Sequence, residues 1–179
     1  GGPYRRPLFY ISSSPWNLYD FLVDFMGLNG IPAGPLLLRD FGVQPERTIG
    51  SSHQAHKLAQ IERVMKTYPK MPFILIGDSG QHDPEAYAQV VATRPQQVLA
   101  IYIRDVTQNP QRDAEIALLA AQAQLHKIAL LLVENTLQAA EHAARHGYID
   151  SATLPSIRAD HARSAEPLDL IEHLVGEDD

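Results

Sequence analysis

Residues 73–84 read Phe-Ile-Leu-Ile-Gly-Asp-Ser-Gly-Gln-His-Asp-Pro, a short apolar run followed by a polar loop and a proline. The apolar run 73–76 predicts a buried β-strand, and Asp83 before Pro84 predicts the start of a helix. Ligands bind outside the carboxyl ends of the strands in open α/β sheets, so Asp78 and Asp83 fall where a site is expected. This stretch therefore indicates both the fold class and the position of the site.

The remainder of the chain alternates short apolar runs with amphipathic segments. Continuous apolar runs are typical of strands in a parallel sheet buried on both faces, whereas apolar residues at helical spacing indicate the connecting helices. We therefore predict an α/β fold with a Rossmann-like parallel sheet and helices on both faces. The predicted strands are 8–11, 36–38, 73–76, 98–103 and 128–133, and the predicted helices begin at Pro15, His53, Asp83, Arg112 and Leu137.

The length of the chain indicates one domain. A chain of 179 residues is long enough for a single core and too short for two ordinary ones, so residues 1–179 are predicted to form one unit. Within it, Ser14 before Pro15 predicts a helix N-cap. Residues 42–52 predict a loop, and residues 156–179 predict a weakly patterned C-terminal tail.

Composition excludes several classes of protein. The formal net charge is −6 and the basic residues are scattered, so the chain lacks the positive patch that nucleic-acid binding needs. Cysteine is absent, which excludes disulfides and thiolate nucleophiles, and any metal must be held by oxygen or imidazole. No apolar run approaches the roughly 20 residues that span a bilayer, and we expect a soluble, cytoplasmic protein.

Polar side chains that follow the predicted strands, or begin a predicted helix, are the candidates for chemistry. Asp78 and Asp83 place two carboxylates in one loop, and such hard oxygen ligands suit Mg²⁺. The structural alternative is that Asp78 turns the chain and Asp83 caps the helix. Ser12 offers a hydroxyl near the start of a helix, where a phosphate oxygen would fit. Lys57 would offset phosphate charge, the alternative being a solvated surface lysine.

Several blocks of the sequence resemble one enzyme family. Four residues follow the order of the later signature positions of haloacid-dehalogenase-like phosphatases: a serine that ends a strand, a lysine at a helix start, and a Gly-Asp pair followed by an acid. They are Ser12, Lys57, Asp78 and Asp83. Within that class, most of residues 8–150 resemble the phosphatidate phosphatase catalytic domain first linked to yeast actin patches. The blocks that carry this resemblance are 9–20, 34–40, 56–57, 76–85 and 101–106.

The resemblance implies a magnesium-dependent phosphatase that hydrolyses phosphatidate to diacylglycerol and phosphate through an aspartyl-phosphate intermediate. Ser12 would hydrogen-bond the transferring phosphoryl group, and Lys57 would neutralise its charge. Asp78 would hold Mg²⁺, and Asp83 would orient Lys57 or bind the waters of the metal. These roles are expectations that follow from the resemblance.

The resemblance also assigns residues to the substrate. Ser13, Asn17 and Arg39 would bind it, and Trp16 would lie either at the substrate entrance or in the core. The substrate would be phosphatidate or another phosphomonoester. We expect no nucleic-acid partner and at most peripheral contact with a membrane.

One part of the family pattern is missing from this chain. The family carries its nucleophile in an Asp-x-Asp-x-Thr motif on a strand upstream of the serine strand, and no aspartate precedes Ser12 here. Residues 1–7 also lead directly into the apolar run 8–11, so we expect an N-terminally incomplete domain whose first strand and nucleophile lie upstream. Such a fragment alone would be inactive, and its open strand edges would favour poor solubility or strand exchange.

Other interpretations stay open. A shortened protein could have kept the fold without catalysis, which gives a non-catalytic module that binds phosphate or a lipid headgroup. A phosphatase for soluble phosphomonoesters is a further alternative, because no basic amphipathic helix for a membrane surface is evident. The least specific alternative is a generic doubly wound domain that binds a small molecule. The sequence leaves the oligomeric state open.

Overall fold

The computed structural model describes residues 6–39 and 53–165. Within these ranges the strands are β1 (Tyr10–Pro15), β2 (Leu36–Arg39), β3 (Phe73–Asp78), β4 (Val98–Arg104) and β5 (Ala129–Val133). The helices are α1 (Tyr19–Leu28), α2 (His53–Thr67), α3 (Asp83–Thr93), α4 (Pro110–Leu125), α5 (Thr136–Arg145) and α6 (Leu154–Ala165). Short 3₁₀ turns cover Trp16–Leu18, Pro95–Gln97 and Ser151–Thr153. Asp40, the predicted loop 42–52 and residues 166–179 lie outside the described residues.

The alternation of strands and helices confirms the predicted α/β class. The boundary of β1 differs, because the strand continues through Ser12 and Ser14, where the sequence predicted a loop. The prediction that Ser14 caps a helix was wrong. Pro15 precedes the 3₁₀ turn with extended backbone and no side-chain cap bond, and the Ser14 hydroxyl pairs with that of Ser12 at 2.9 Å.

Part of the predicted C-terminal tail is a helix. Residues 154–165 form α6, which packs against α5. Arg158 of α6 donates from Nη2 to Oε1 of Glu141 in α5 over 2.8 Å. The sequence pattern is weak here because only Leu154, Ile157 and His161 are partly buried among the described side chains of the helix.

The strands form two parallel sheets. β1 pairs with β2, while β3, β4 and β5 pair in that order. Because the pairings are parallel, the carboxyl ends of the strands in each sheet lie at one edge. Within the described residues, β1 and β3 each have one paired side and one open side. The predicted single sheet is therefore divided between these two strands.

One face of the larger sheet carries the main core. α2, α3 and α4 cover this face, and Ile101 and Ile103 of β4 are fully buried beneath them. Burying an aliphatic side chain of this size contributes about 1.5–3 kcal/mol, so this layer is the main source of stability. The helices supply Ile61, Met65, Tyr87, Val90, Val91, Ile116 and Ala123.

The opposite face is covered only in part. α5 packs there, with Ala143 against Ala100 and Tyr102 of β4. Ile76 follows Ile74 by two residues and so lies on this same face, yet its side chain is 70% exposed. No residue of α1 is buried either. Within the described residues, the expected helix layer therefore covers β4 and leaves β3 open at Ile76.

A small aromatic cluster fills the covered part of that face. The Tyr102 hydroxyl lies 2.8 Å from Nδ1 of His142, and the His142 ring stacks on His146 with centroids 4.1 Å apart. Tyr148 packs beside both histidines. Burial lowers the pKa of His142 below its ordinary value, and the neighbouring charges of His146 and Arg145 lower it further. His142 is therefore expected to stay neutral in the folded chain near pH 7.

The lowered pKa of His142 predicts acid sensitivity of the fold. The unfolded chain binds this proton at a higher pH than the folded chain, so the free energy of unfolding should fall as the pH decreases from about 7.5 to 5. Urea unfolding followed by circular dichroism at several pH values measures this slope. His142→Gln should flatten it, whereas the exposed control His126→Gln should leave it unchanged. Parallel profiles for the wild-type chain and His142→Gln would contradict the prediction.

Candidate active site

The candidate site is a cavity of about 750 Å³ between the open sides of β1 and β3. Both strands contribute their carboxyl-terminal residues to it, as expected for a ligand site of an open α/β sheet. Five of the predicted site residues line this cavity, namely Ser12, Ser13, Lys57, Asp78 and Asp83. The structure thus brings together side chains from β1, α2, β3 and α3.

A buried ion pair lies at the centre of this group. Nζ of Lys57 donates to Oδ1 of Asp83, and the two side chains are only 12% and 5% exposed. The alternative that Lys57 is a solvated surface lysine is therefore wrong. Oδ2 of Asp83 accepts a hydrogen bond from the backbone amide of Asp78 at 3.2 Å. Asp83 thus holds Lys57 with one oxygen and the end of β3 with the other.

The two structural alternatives for the aspartates have different outcomes. Asp83 forms no helix-cap bond, because α3 begins after His82 and no side-chain cap is made there. Asp78 does turn the chain, since its Oδ1 accepts from the amide of Gly80 at 2.9 Å. The metal role of Asp78 remains a prediction. In the described part of the chain, Asp78 has no ion-pair partner, and no group of three or more metal-binding side chains is present.

Gly77 makes the close approach of Asp83 possible. A Cβ atom at this position would lie 2.3 Å from Oδ2 of Asp83 and 2.6 Å from its Cβ. These distances are far below van der Waals contact, so any side chain here would displace Asp83. The glycine of the Gly-Asp pair is therefore required by the packing of the site.

The serines of β1 form the other wall of the cavity. Oγ of Ser12 donates to Oγ of Ser14 and accepts from the Ser14 amide at 3.1 Å. The hydroxyl oxygen of Ser13 is buried and has no hydrogen-bond partner among the described residues. Buried hydroxyl groups are nearly always hydrogen-bonded in folded proteins. Ser13 therefore has capacity for a ligand or for a further segment of polypeptide.

Two of the residues assigned to substrate binding lie outside the cavity lining. Asn17 is exposed in the 3₁₀ turn after β1, and Arg39 is buried at the end of β2, where it is paired in register with Pro15. Trp16 is 59% exposed and packs on Tyr19, with ring centroids 5.0 Å apart. The alternative that Trp16 belongs to the core is therefore wrong. Substrate contact by Asn17 and Arg39 stays a prediction.

Two residues that the sequence did not single out support the loop after β3. Ser79 is buried, and its hydroxyl donates to Oδ1 of Asp105 at 3.1 Å and accepts from the amide of Val106 at 2.9 Å. Arg112 of α4, which does not line the cavity, donates to two backbone carbonyls of the same loop. A buried serine in a polar loop has no distinctive sequence signal, and Arg112 comes from a distant helix. Gln54 and His82 also line the cavity.

Hydroxyl groups, a buried lysine–aspartate pair and a second carboxylate converge at the carboxyl ends of parallel strands. Such an arrangement places positive charge and hydrogen-bond donors where a phosphoryl group could be bound. The chain belongs to the family of the phosphatidate phosphatase APP1 catalytic domain, whose family model matches residues 2–105.

Two curated relatives are similar to the chain. The chain is 38% identical over 112 residues to phosphatidate phosphatase APP1 of Saccharomyces cerevisiae, and the match covers 60% of the chain and 19% of that relative. An uncharacterized protein of Schizosaccharomyces pombe is 31% identical over 98 residues, covering 54% of the chain and 16% of the relative. The chain therefore spans about a fifth or less of the length of these relatives.

A comparison with solved structures and a search for membrane-spanning helices both give negative findings. No solved structure shows significant similarity to the chain. Among the residues that the structure describes, no helix combines the length and apolar character needed to cross a bilayer.

The buried pair predicts strong coupling between Lys57 and Asp83. Lys57→Met leaves a buried, unpaired carboxylate and should cost about 3–5 kcal/mol of unfolding free energy, whereas Lys57→Met combined with Asp83→Asn should cost less than the sum of the single changes. Urea unfolding of the four chains measures the coupling. The exposed pair Lys66 and Glu62 on the same helix is the matched control, with a coupling below about 1 kcal/mol. Equal coupling for both pairs would contradict the prediction.

The close approach at Gly77 predicts that even a methyl group disrupts the site. Gly77→Ala should lower the free energy of unfolding by about 1–3 kcal/mol, because the new Cβ overlaps Asp83. Gly27→Ala is the control, since a Cβ there meets nothing within 4 Å and the change should stabilise α1 by about 0.5–1 kcal/mol. Comparable effects of the two changes would refute the steric explanation.

Proposed function

We propose that this chain forms most of the active site of a magnesium-dependent phosphatidate phosphatase of the haloacid-dehalogenase-like class. Family membership supports the substrate class, and the cavity supports a phosphoryl site. The observation that carries the proposal is the buried pair of Lys57 and Asp83 beside Asp78. A fixed ammonium group in a partly enclosed site stabilises the negative charge of a transferring phosphoryl group far better than one in water.

The open sides of β1 and β3 support a nucleophile supplied from upstream. Both strands have parallel partners, and the cavity between them is bounded by Ile11 of β1 and Ile76 of β3. An upstream strand entering this space would pair on both sides and would cover exposed apolar surface. Its carboxyl end would meet Ser12 and Asp78. An aspartate on that strand would then face the phosphoryl group.

The proposed chemistry assigns each side chain a separate task. The upstream aspartate would attack phosphorus as the bond from phosphorus to the diacylglycerol oxygen breaks, and that oxygen would take a proton from a second carboxylic acid of the upstream segment. Water, giving its proton back to that carboxylate, would then release phosphate from the aspartyl phosphate. The Ser12 hydroxyl, which donates to Ser14 in the structure, would turn to donate a hydrogen bond to a phosphoryl oxygen. Lys57 offsets the charge of the phosphoryl group, and Asp83 holds the lysine in place. Asp78 would hold Mg²⁺, which supplies further positive charge.

The donor set at the cavity fits a magnesium site that is only partly supplied by this chain. Mg²⁺ takes one or two protein carboxylates and completes its shell with water and substrate phosphate. Asp78 offers one such carboxylate, whereas Asp83 is already engaged by Lys57 and the Asp78 amide. The remaining carboxylate would come from the upstream segment.

A non-catalytic module that binds phosphate or a lipid headgroup is the second candidate. It is favoured by one specific observation, since the serines, Lys57 and Asp78 that line the cavity could bind a phosphate without any turnover. A phosphatase for soluble phosphomonoesters is a variant of the first proposal with a different leaving group. Turnover and substrate class are therefore the two properties to measure.

The test compares a longer polypeptide that includes the upstream segment with the 179-residue chain. The longer form should release phosphate from phosphatidate only with Mg²⁺, and Asp78→Asn should lower the rate at least about 100-fold. Asp150→Asn is the matched control, because its side chain caps the distant 3₁₀ turn and asparagine caps equally well. Faster release from a soluble aryl phosphate would favour the soluble-substrate alternative. Phosphate binding without turnover would favour the binding module.

A further inference from the structure

The guanidinium group of Arg112 in α4 binds the loop between β3 and α3. Nε of Arg112 donates to the carbonyl of Ser79 at 3.1 Å, and Nη2 donates to the carbonyl of Gln81 at 2.8 Å. Both guanidinium Nη atoms also bind the carboxylate of Glu85, in the first turn of α3. The Arg112 side chain is 15% exposed. One side chain of α4 therefore contacts three residues of the 79–85 segment.

These contacts need the geometry of arginine. A planar guanidinium presents several donors in fixed directions, so it can bind two carbonyls and both oxygens of a carboxylate at once. A lysine ammonium carries the same charge on a single donor group and cannot span these acceptors. The Arg112 guanidinium stabilises the ionised form of Glu85 by hydrogen bonding, which lowers the pKa of that carboxyl.

A second anchor holds the same loop from the neighbouring strand. The Ser79 hydroxyl accepts from the amides of Val106 and Thr107 and donates to Asp105, which ties the loop to the end of β4. Between these anchors, the amide of Gly80 donates to Oδ1 of Asp78. The direction of the Asp78 carboxylate therefore depends on where the backbone of residues 79–81 is held.

We propose that Arg112 is a positioning residue that fixes the loop after β3 and thereby aims the carboxylate of Asp78 at the cavity. Arg112 itself does not line the cavity, so it acts through the loop and touches no substrate. The consequence for catalysis rests on the proposed function, in which Asp78 holds Mg²⁺. Loss of the guanidinium should free the loop, weaken magnesium binding and leave the Lys57–Asp83 pair in place.

The direct test is amide hydrogen exchange on the 179-residue chain. Arg112→Lys and Arg112→Gln should raise exchange at Gly80 by about tenfold or more, because each hydrogen bond to a charged group shifts a local opening equilibrium by about that factor. Amides in the middle of β4 should be unchanged. Glu115→Gln is the matched control, since it removes the exposed partner of Arg112 and leaves the contacts with the loop. It should leave Gly80 unchanged.

Two results would overturn the proposal. One is unchanged exchange at Gly80 in Arg112→Lys, and the other is an equal rise at Gly80 and throughout β4, which would mean that Arg112 only stabilises the fold. If Arg112→Gln fails to fold, the lysine variant decides the question. Lysine keeps the positive charge but lacks the planar set of donors of the guanidinium.

The second test measures the magnesium requirement of the longer polypeptide. Arg112→Lys should raise the Mg²⁺ concentration that gives half-maximal phosphate release at least about fivefold and should lower the rate at saturating Mg²⁺ by a smaller factor. A lowered rate with an unchanged magnesium requirement would overturn the link to Asp78. If the wild-type polypeptide releases no phosphate, the proposed function fails, and the exchange measurement still decides whether Arg112 fixes the loop.

Discussion

The ion pair between Lys57 and Asp83 is the interaction on which the site depends. It joins α2 to the first turn of α3, and the second oxygen of Asp83 binds the amide of Asp78 at the end of β3. Charges this deeply buried are stable only while their partners stay close. The pair therefore connects α2, α3 and the end of β3. These elements can approach this closely only because Gly77 has no side chain.

Local patterns predicted much of the fold and part of the site. Apolar runs and helical spacing predicted the alternating elements, and the residues after β3 predicted where Asp78 and Asp83 would lie. Local patterns could not predict contacts between side chains that are far apart in the sequence. Arg112 binds Ser79 from 33 positions away, and no local rule connects the two. The cap prediction for Ser14 failed because a serine before a proline suits a strand end as well as a helix start.

The side chains that the resemblance assigned to the substrate show a related limit. Order along the chain fixes which strand a residue follows, but it does not fix where the side chain points. Ser13 lies at the cavity, whereas Asn17 and Arg39 do not line it. An unpaired strand side is equally invisible in the sequence, because the predicted strands 8–11 and 73–76 are apolar runs like the other predicted strands. Only the pairing of the strands shows that the sheet is divided.

The unequal burial of the two sheets has a consequence for the persistence of the site. β3, β4 and β5 are fastened by the main core, whereas no residue of β1 or α1 is fully buried. Segments with little buried surface open at a lower free energy than the core does. The serines of β1 therefore lie in a segment that is expected to open at a lower free energy than the larger sheet. A ligand bound at these serines would stabilise this segment, so occupancy of the cavity and local order would rise together.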